Sequence, residues 1–214
     1  NMVIGRYRLS MGKGLVVNTD LSFGKTATLA SLGRTSDNIR PHSSRSEANY
    51  FQGAAATLSL GADLTATAFA SYRAIDATLN DDGTIATILS SGYHRTPSEV
   101  RRRHNAHATV VGGVLAYDHA DLHIGATTVY TSLNRPLQPD IKQVFRRHYA
   151  AGNGFLNAGV NYSWRNRLFQ LGGETAISGN GAIATLNSLN VRLSSDVSML
   201  LLQRFYSYRY TSLY

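Results

Sequence analysis

Residues 90–105, SSGYHRTPSEVRRRHN, bring four arginines and two histidines together on one short piece of chain. Thr96-Pro97-Ser98-Glu99 has the pattern of a capping box with proline at the first helical position, and Val100–His104 would complete one or two turns. A helix this short does not stand alone and is expected to pack on the wall or lumen of the fold. Its basic residues, Arg95, Arg101, Arg102 and Arg103, suit a positive constriction or an anion-binding patch; the plainer reading is a solvated loop helix whose arginines pair with carboxylates. Two further basic stretches repeat the theme: residues 34–50, with Arg34, Arg40, His42 and Arg45 beside Glu47, and the patch Lys142, Arg146, Arg147, His148. Arg40, Arg45, Arg95, Arg101, Arg102, Arg103, Arg146 and Arg147 are the candidates for contact with a polyanion, either nucleic acid or the sugar phosphates of lipopolysaccharide.

Other chemistries find no support. Gly24-Lys25-Thr26 ends like a phosphate-binding loop, but that pattern needs glycine at position 19, which is threonine. The seven histidines are scattered without metal-ligand spacing, and no GxSxG elbow exists. No nucleophile is linked to a base. The expectation is a protein that is not an enzyme and carries no metal or cofactor.

The elements that must position these residues are strands. In FLNAGVNYSW (155–164), Leu156, Ala158, Val160, Tyr162 and Trp164 share one face while Phe155, Asn157, Gly159, Asn161 and Ser163 share the other. Residues 64–75, 121–131, 167–177 and 183–193 repeat this alternation. Ten strands are expected, at 2–9, 14–23, 48–60, 64–75, 106–117, 121–131, 153–164, 167–177, 183–193 and 197–209, most near the roughly 9–11 residues that span a bilayer when tilted. Alternate connections are short and long, the habit of outer-membrane barrels rather than of Greek-key sandwiches. The polar strand faces then put Arg6, Arg8, His123, Glu174 and Arg192 in the lumen, because an arginine on a lipid face costs about 2–4 kcal/mol at midplane. TIATIL (84–89) lies within the excursion 76–105 and does not span.

Composition agrees with that class. Of 214 residues, 16% are charged, against roughly 25% in a typical soluble domain, and the net charge is +8. Cysteine is absent, so no disulfide framework forms. No run of about 18 apolar residues offers a transmembrane helix. The length suits one domain, residues 1–214, and the abrupt, strand-like opening NMVIGRYRLS reads as a processed chain or a fragment.

GRYRLSMGKGL (5–15), LSFGK (21–25), IRPHSSRSEANYFQGAAATL (39–58), SSGYHRTPSE (90–99), GGETAISGNGAIATLNSL (172–189) and RFYSYRYTSLY (204–214) occur in this order. The set resembles the β-barrel region of Bacteroidota outer-membrane proteins that carry an N-terminal ComEA-type helix-hairpin-helix domain. The resemblance covers nearly the whole chain. It implies a helix-hairpin-helix domain upstream, further strands downstream and ten strands as a lower bound. It also implies a role in handling DNA at the outer membrane, carried by the domain that is absent here. The expected function is a noncatalytic outer-membrane barrel serving as a channel or platform, with lipid, lipopolysaccharide, DNA or other envelope proteins as partners. A structural subunit of a larger envelope complex and a soluble β-sandwich binding module are the alternatives.

Overall fold

The structure, a computed structural model, describes residues 1–19, 37–43, 49–142 and 144–214, without the side chain of Phe145. Among these residues the chain is all-β apart from one five-residue helix and one 3-10 turn. The strands are β1 (Met2–Ser10), β2 (Asn38–Pro41), β3 (Phe51–Ser59), β4 (Leu64–Leu79), β5 (Ile85–Leu89), β6 (Ala106–His119), β7 (Leu122–Leu137), β8 (Gly152–Arg165), β9 (Phe169–Ser178), β10 (Ile183–Arg192) and β11 (Ser198–Tyr206). The helix α1 spans Pro97–Arg101, and the 3-10 turn spans Val144–Arg146.

All eleven strands join one sheet. Its lanes run β2, β1, β3, β4, β6, β7, β8, β9, β10, β11, with β5 continuing the lane of β6 beside β4. Every pairing is antiparallel except a single bridge between Ile85 and Leu137. The hairpin connections at 60–63, 120–121, 166–168 and 193–197 fall at one end of the sheet, and the long connections 90–105 and 138–151 leave from the other.

Period-2 patterning sorts the two faces. On β8, Asn157 and Asn161 are buried while Leu156, Val160 and Trp164 are exposed. On β7, Thr127, Val129 and Thr131 are buried against exposed Ile124 and Tyr130. On β9 and β10, Glu174, Ser178 and Ser188 are buried, with Ile177 and Ile183 outside. The enclosed face thus carries polar residues beside apolar ones, while the outer face exposes much apolar surface.

What the sheet encloses is largely its own chain. One apolar cluster draws Tyr7 and Leu9 (β1), Phe51 (β3), Phe69 (β4), Val110 and Val114 (β6), Val129 (β7), Ala176 (β9) and Leu186 (β10) onto Met11, Leu15, Val16 and Val17. A flat sheet cannot bring lanes so far apart onto one short segment, so the sheet curls around it. A second cluster, Ile75, Ile85, Leu133 and Leu137 among its members, fills the long-connection end, with Leu213 packed against it.

The strand expected at 14–23 does not form over its described part. Residues 11–17 are turns and bends, followed by an isolated bridge from Asn18 to Ser10, and residues 20–23 lie outside the described residues. Gly12 and Gly14 take φ of +58° and +84°, which ends strand geometry there, and the amides that a strand would pair go to a side chain instead. In its place β2 and β5 appear, so the lane count is still ten. The excursion at 76–105 is also resolved differently: β4 runs on to Leu79, turns at 80–84, and returns as β5.

Candidate functional site

The sequence SSGYHRTPSEVRRRHN interrupts one lane of the sheet. β4 pairs β5 through Asp76↔Leu89 and then β6 through Ile75↔Ala106, so residues 90–105 are extruded between two consecutive rungs. Two residues of β4 close the base of this insert. Asp76 binds His94 Nε2 at 2.7 Å and accepts the His104 N–H at 2.9 Å. The Ala77 amide group is satisfied by Asn105, which accepts from its N–H at 3.0 Å and donates to its carbonyl at 2.8 Å. Above this base α1 forms as its sequence requires. Thr96 Oγ1 accepts the Glu99 N–H, and the Glu99 carboxylate accepts the N–H groups of Arg95 at 2.7 Å and Thr96 at 3.0 Å. Those two amides hold the Glu99 carboxyl below its ordinary pKa. The helix buries no residue, contrary to the expectation that it packs on the wall or lumen; the insert is anchored through its base.

The predicted polyanion contacts lie on the described rim as follows. Arg101, Arg102 and Arg103 are exposed around the end of α1, and Arg95 lies 4.0 Å over the Tyr93 ring. Arg40 is exposed on β2, Arg146 is half-buried and Arg147 is exposed; Arg45 lies outside the described residues. Topology brings the described ones among these segments to the long-connection end of the sheet. Sequence reasoning missed the aromatic centre beside them. Tyr50 is buried with Arg6 5.0 Å and Arg73 4.6 Å from its ring centre, and His42 stacks against it while accepting from Arg8 Nε at 2.9 Å.

The interior holds a second constellation. Glu174, 2% exposed, accepts backbone N–H groups from Lys13, Leu15 and Val16. Lys13 Nζ donates to Ser188 at 2.9 Å, and burial pulls its pKa below the ordinary value against the attraction of Glu174. His123 contacts Asn161 at 2.9 Å through Nε2 and Asp118 at 2.7 Å through Nδ1, with Asp37 3.3 Å from Nε2. Asp37 in turn accepts the Gly12 N–H at 2.9 Å. A side chain at Gly12 would collide with Glu174 and Asn161, so this turn lies directly on β8 and β9. The C-terminal residues close over it: Tyr210 donates to the Leu15 carbonyl at 2.7 Å, Ser212 to that of Val16 at 3.1 Å, and Asn157 donates to Thr211 at 2.7 Å.

Glu174 and His123 thus face the interior, where they tie a segment down. On β1, Tyr7 and Leu9, which alternate with Arg6 and Arg8, join the interior cluster; Arg6 is exposed, and Arg8 is buried against His42. Arg192 is exposed at the end of β10. The partners of Glu174 carried no sequence signal, since backbone amides have no residue type; the glycine pair at 12 and 14 was the one trace of them. Among the described residues, no group of three or more His, Cys, Asp and Glu is arranged to hold a metal ion. No protein-family model matches the chain, and neither curated proteins nor solved structures provide a match.

Proposed function

We propose that this chain forms a transmembrane β-barrel wall of the bacterial outer membrane, with a filled interior, and that it acts as a noncatalytic platform rather than an open channel. The observation that carries this reading is the apolar outer face, with Ile4, Leu156, Val160 and Trp164 outside, against an enclosed face that admits Glu174, Asn161, Asn157 and Thr131. From Trp164 to Leu156 along β8 is eight residues, about 26 Å of strand at roughly 3.3 Å each. A tilt of about 35–45° reduces that to about 20 Å, close to the roughly 25 Å apolar band of outer-membrane barrels. Aromatic side chains mark both margins, Tyr117 and Trp164 at one end, Tyr72 and Tyr130 toward the other. Ten lanes also permit closure. β2 runs opposite to β1, and β11 runs with β1, so a ring joining β2 to β11 would be antiparallel throughout.

The filled interior argues for a platform. Met11–Thr19 and Tyr210–Tyr214 occupy the space that a conducting lumen needs. The exposed basic loops then form the working surface, with lipopolysaccharide phosphate or DNA as the polyanion it would bind. That role fits the Bacteroidota helix-hairpin-helix barrel proteins the sequence resembles. A structural subunit of a larger envelope complex is the second reading. It is favoured by β11, whose nine residues are all exposed, as expected of a strand that a neighbour covers.

Two measurements on the native protein test the proposal. Membrane fractionation with electrophoresis before and after heating should give a membrane-borne species whose mobility shifts on heating. Fluorescence of Trp164, the single tryptophan, should be quenched by lipids brominated on their acyl chains. A soluble species with no heat shift and no quenching would rule out the membrane barrel.

A further inference from the structure

Two cavities adjoin at the long-connection end, between the segment after β7 and the C-terminal residues. One, about 750 Å³, is lined mostly by apolar surface that includes Ile88, Leu137, Pro139, Val144, Tyr208 and Leu213, with Arg146 and His148 at its polar side. The other, about 290 Å³, is lined by Arg147, His148, Asn180 and Arg209. They share His148, Tyr149, Ala150 and Thr211, so they are two chambers of one cleft. Among the described residues, neither chamber has an aspartate or glutamate in its wall. Neither the Arg147 nor the Arg209 guanidinium has a hydrogen-bond or ion-pair partner among the described residues.

We propose that this cleft binds a single-chain amphiphile with an anionic head group, its chain in the apolar chamber and its head between Arg147 and Arg209. The larger chamber falls within the roughly 300–1,000 Å³ that small-molecule sites occupy, and its wall is apolar as such sites are. Two guanidinium groups without carboxylate partners present forked donors that match a carboxylate or phosphate. Tyr210, in the wall of the apolar chamber, has its pKa pushed up to about 12 by burial, so it adds no negative charge there at neutral pH. A soluble sugar phosphate would satisfy the arginines and leave the apolar wall wet. A nucleic acid strand would do the same. A ligand carrying both a charge and a hydrocarbon chain covers both chambers, and this holds whether or not the sheet spans a membrane.

The test uses the full chain kept in solution by an amphipathic polymer, with 11-(dansylamino)undecanoic acid as the probe. Binding should raise and blue-shift the dansyl emission. Palmitate and hexadecyl phosphate should both displace the probe, and whichever is stronger identifies a fatty acid or a single-chain lysophospholipid as the natural source. Hexadecanol should displace it at least tenfold more weakly. Arg147→Gln with Arg209→Gln should cost the anionic competitors tenfold or more while leaving hexadecanol unchanged. Ile88→Arg, which places a charge in the apolar wall, should weaken all three. Equal displacement by hexadecanol would overturn the role of the arginines. Displacement by inorganic phosphate or a DNA oligonucleotide as strong as by palmitate would overturn the amphiphile and leave a simple anion site. Unchanged probe binding in both variants would overturn the location.

Discussion

The Glu174 carboxylate accepts the Val16 N–H at 3.2 Å across 158 residues of sequence. Together with the Lys13 and Leu15 amides, it holds the buried segment against β9. Glu174→Ala would leave three amides without their acceptor, at about 1–3 kcal/mol each where water cannot replace it. Hydrogen exchange at Lys13, Leu15 and Val16 should accelerate at least a hundredfold, with a smaller change in Glu174→Gln, which keeps one acceptor oxygen. In planar bilayers the wild type should conduct little, and Glu174→Ala should open steady currents. A large wild-type conductance would refute the filled interior.

Gly159 offers an independent route to the same segment. A Cβ there would sit 2.7 Å from Val16 Cγ2 and 3.1 Å from the Thr175 carbonyl. Gly159→Ala should destabilise the protein by about 1–3 kcal/mol through overpacking. Val16→Ala in the same chain should recover part of that loss. Additive effects of the two substitutions, measured by urea titration, would separate Gly159 from the interior segment.

Val160 is 53% exposed on the outer face of β8. In lipid vesicles Val160→Arg should cost about 2–4 kcal/mol of folding free energy near the bilayer midplane. On a water-facing surface the same change stays within about 0.5 kcal/mol. Folding titrations in vesicles distinguish the two.

The α1 cap should be sensitive to acid. The folded pKa of Glu99 is depressed, so its contribution is fully present above the unfolded value of about 4.3 and is lost as pH falls through the lower folded value. Amide protection at Thr96 and Glu99 should hold from pH 7 to about 5 and collapse below about 4. Glu99→Gln should remove this pH dependence; an unchanged profile would mean that another group controls the cap.

Asp76 should control the whole insert through its bonds to His94 and His104. Asp76→Asn would weaken two charge-assisted hydrogen bonds, and tryptic cleavage after Arg101, Arg102 and Arg103 should accelerate severalfold while the sheet stays intact. Cleavage at the wild-type rate would show that Asn105 and Ala77 suffice.

Much of this fold was legible because period 2 is a strong signal when one strand face is apolar and the other carries Asn, Thr and Glu. Leu156 and Asn157, or Ile177 and Ser178, went to opposite faces as the alternation requires. The capping box was legible for a similar reason, its partners lying three residues apart. The interior was not. Residues 14–17 carry Leu15, Val16 and Val17, which fit a strand locally, and only the distant Glu174 diverts their amides. The pairing of Arg209 with Arg147 across a cleft likewise depends on the path of the C-terminal residues, which no local pattern encodes.

The position of Met11–Thr19 also sets the order in which the molecule can assemble. Besides β1, β3, β4 and β6, the partners of this segment lie far along the chain, at 159, 161, 174, 188 and 210–212. Its native contacts span most of the chain, and the entropy of closing that loop must be met before any of them forms. Until β8 to β10 exist, Leu15, Val16 and Val17 lack part of their packing surface and the Leu15 and Val16 amides lack Glu174, so they remain a sticky, incompletely paired stretch. Folding should therefore end, not begin, with the docking of Met11–Thr19. A holding chaperone that shields this stretch during transit would act on the one element whose docking commits the sheet to its final curvature.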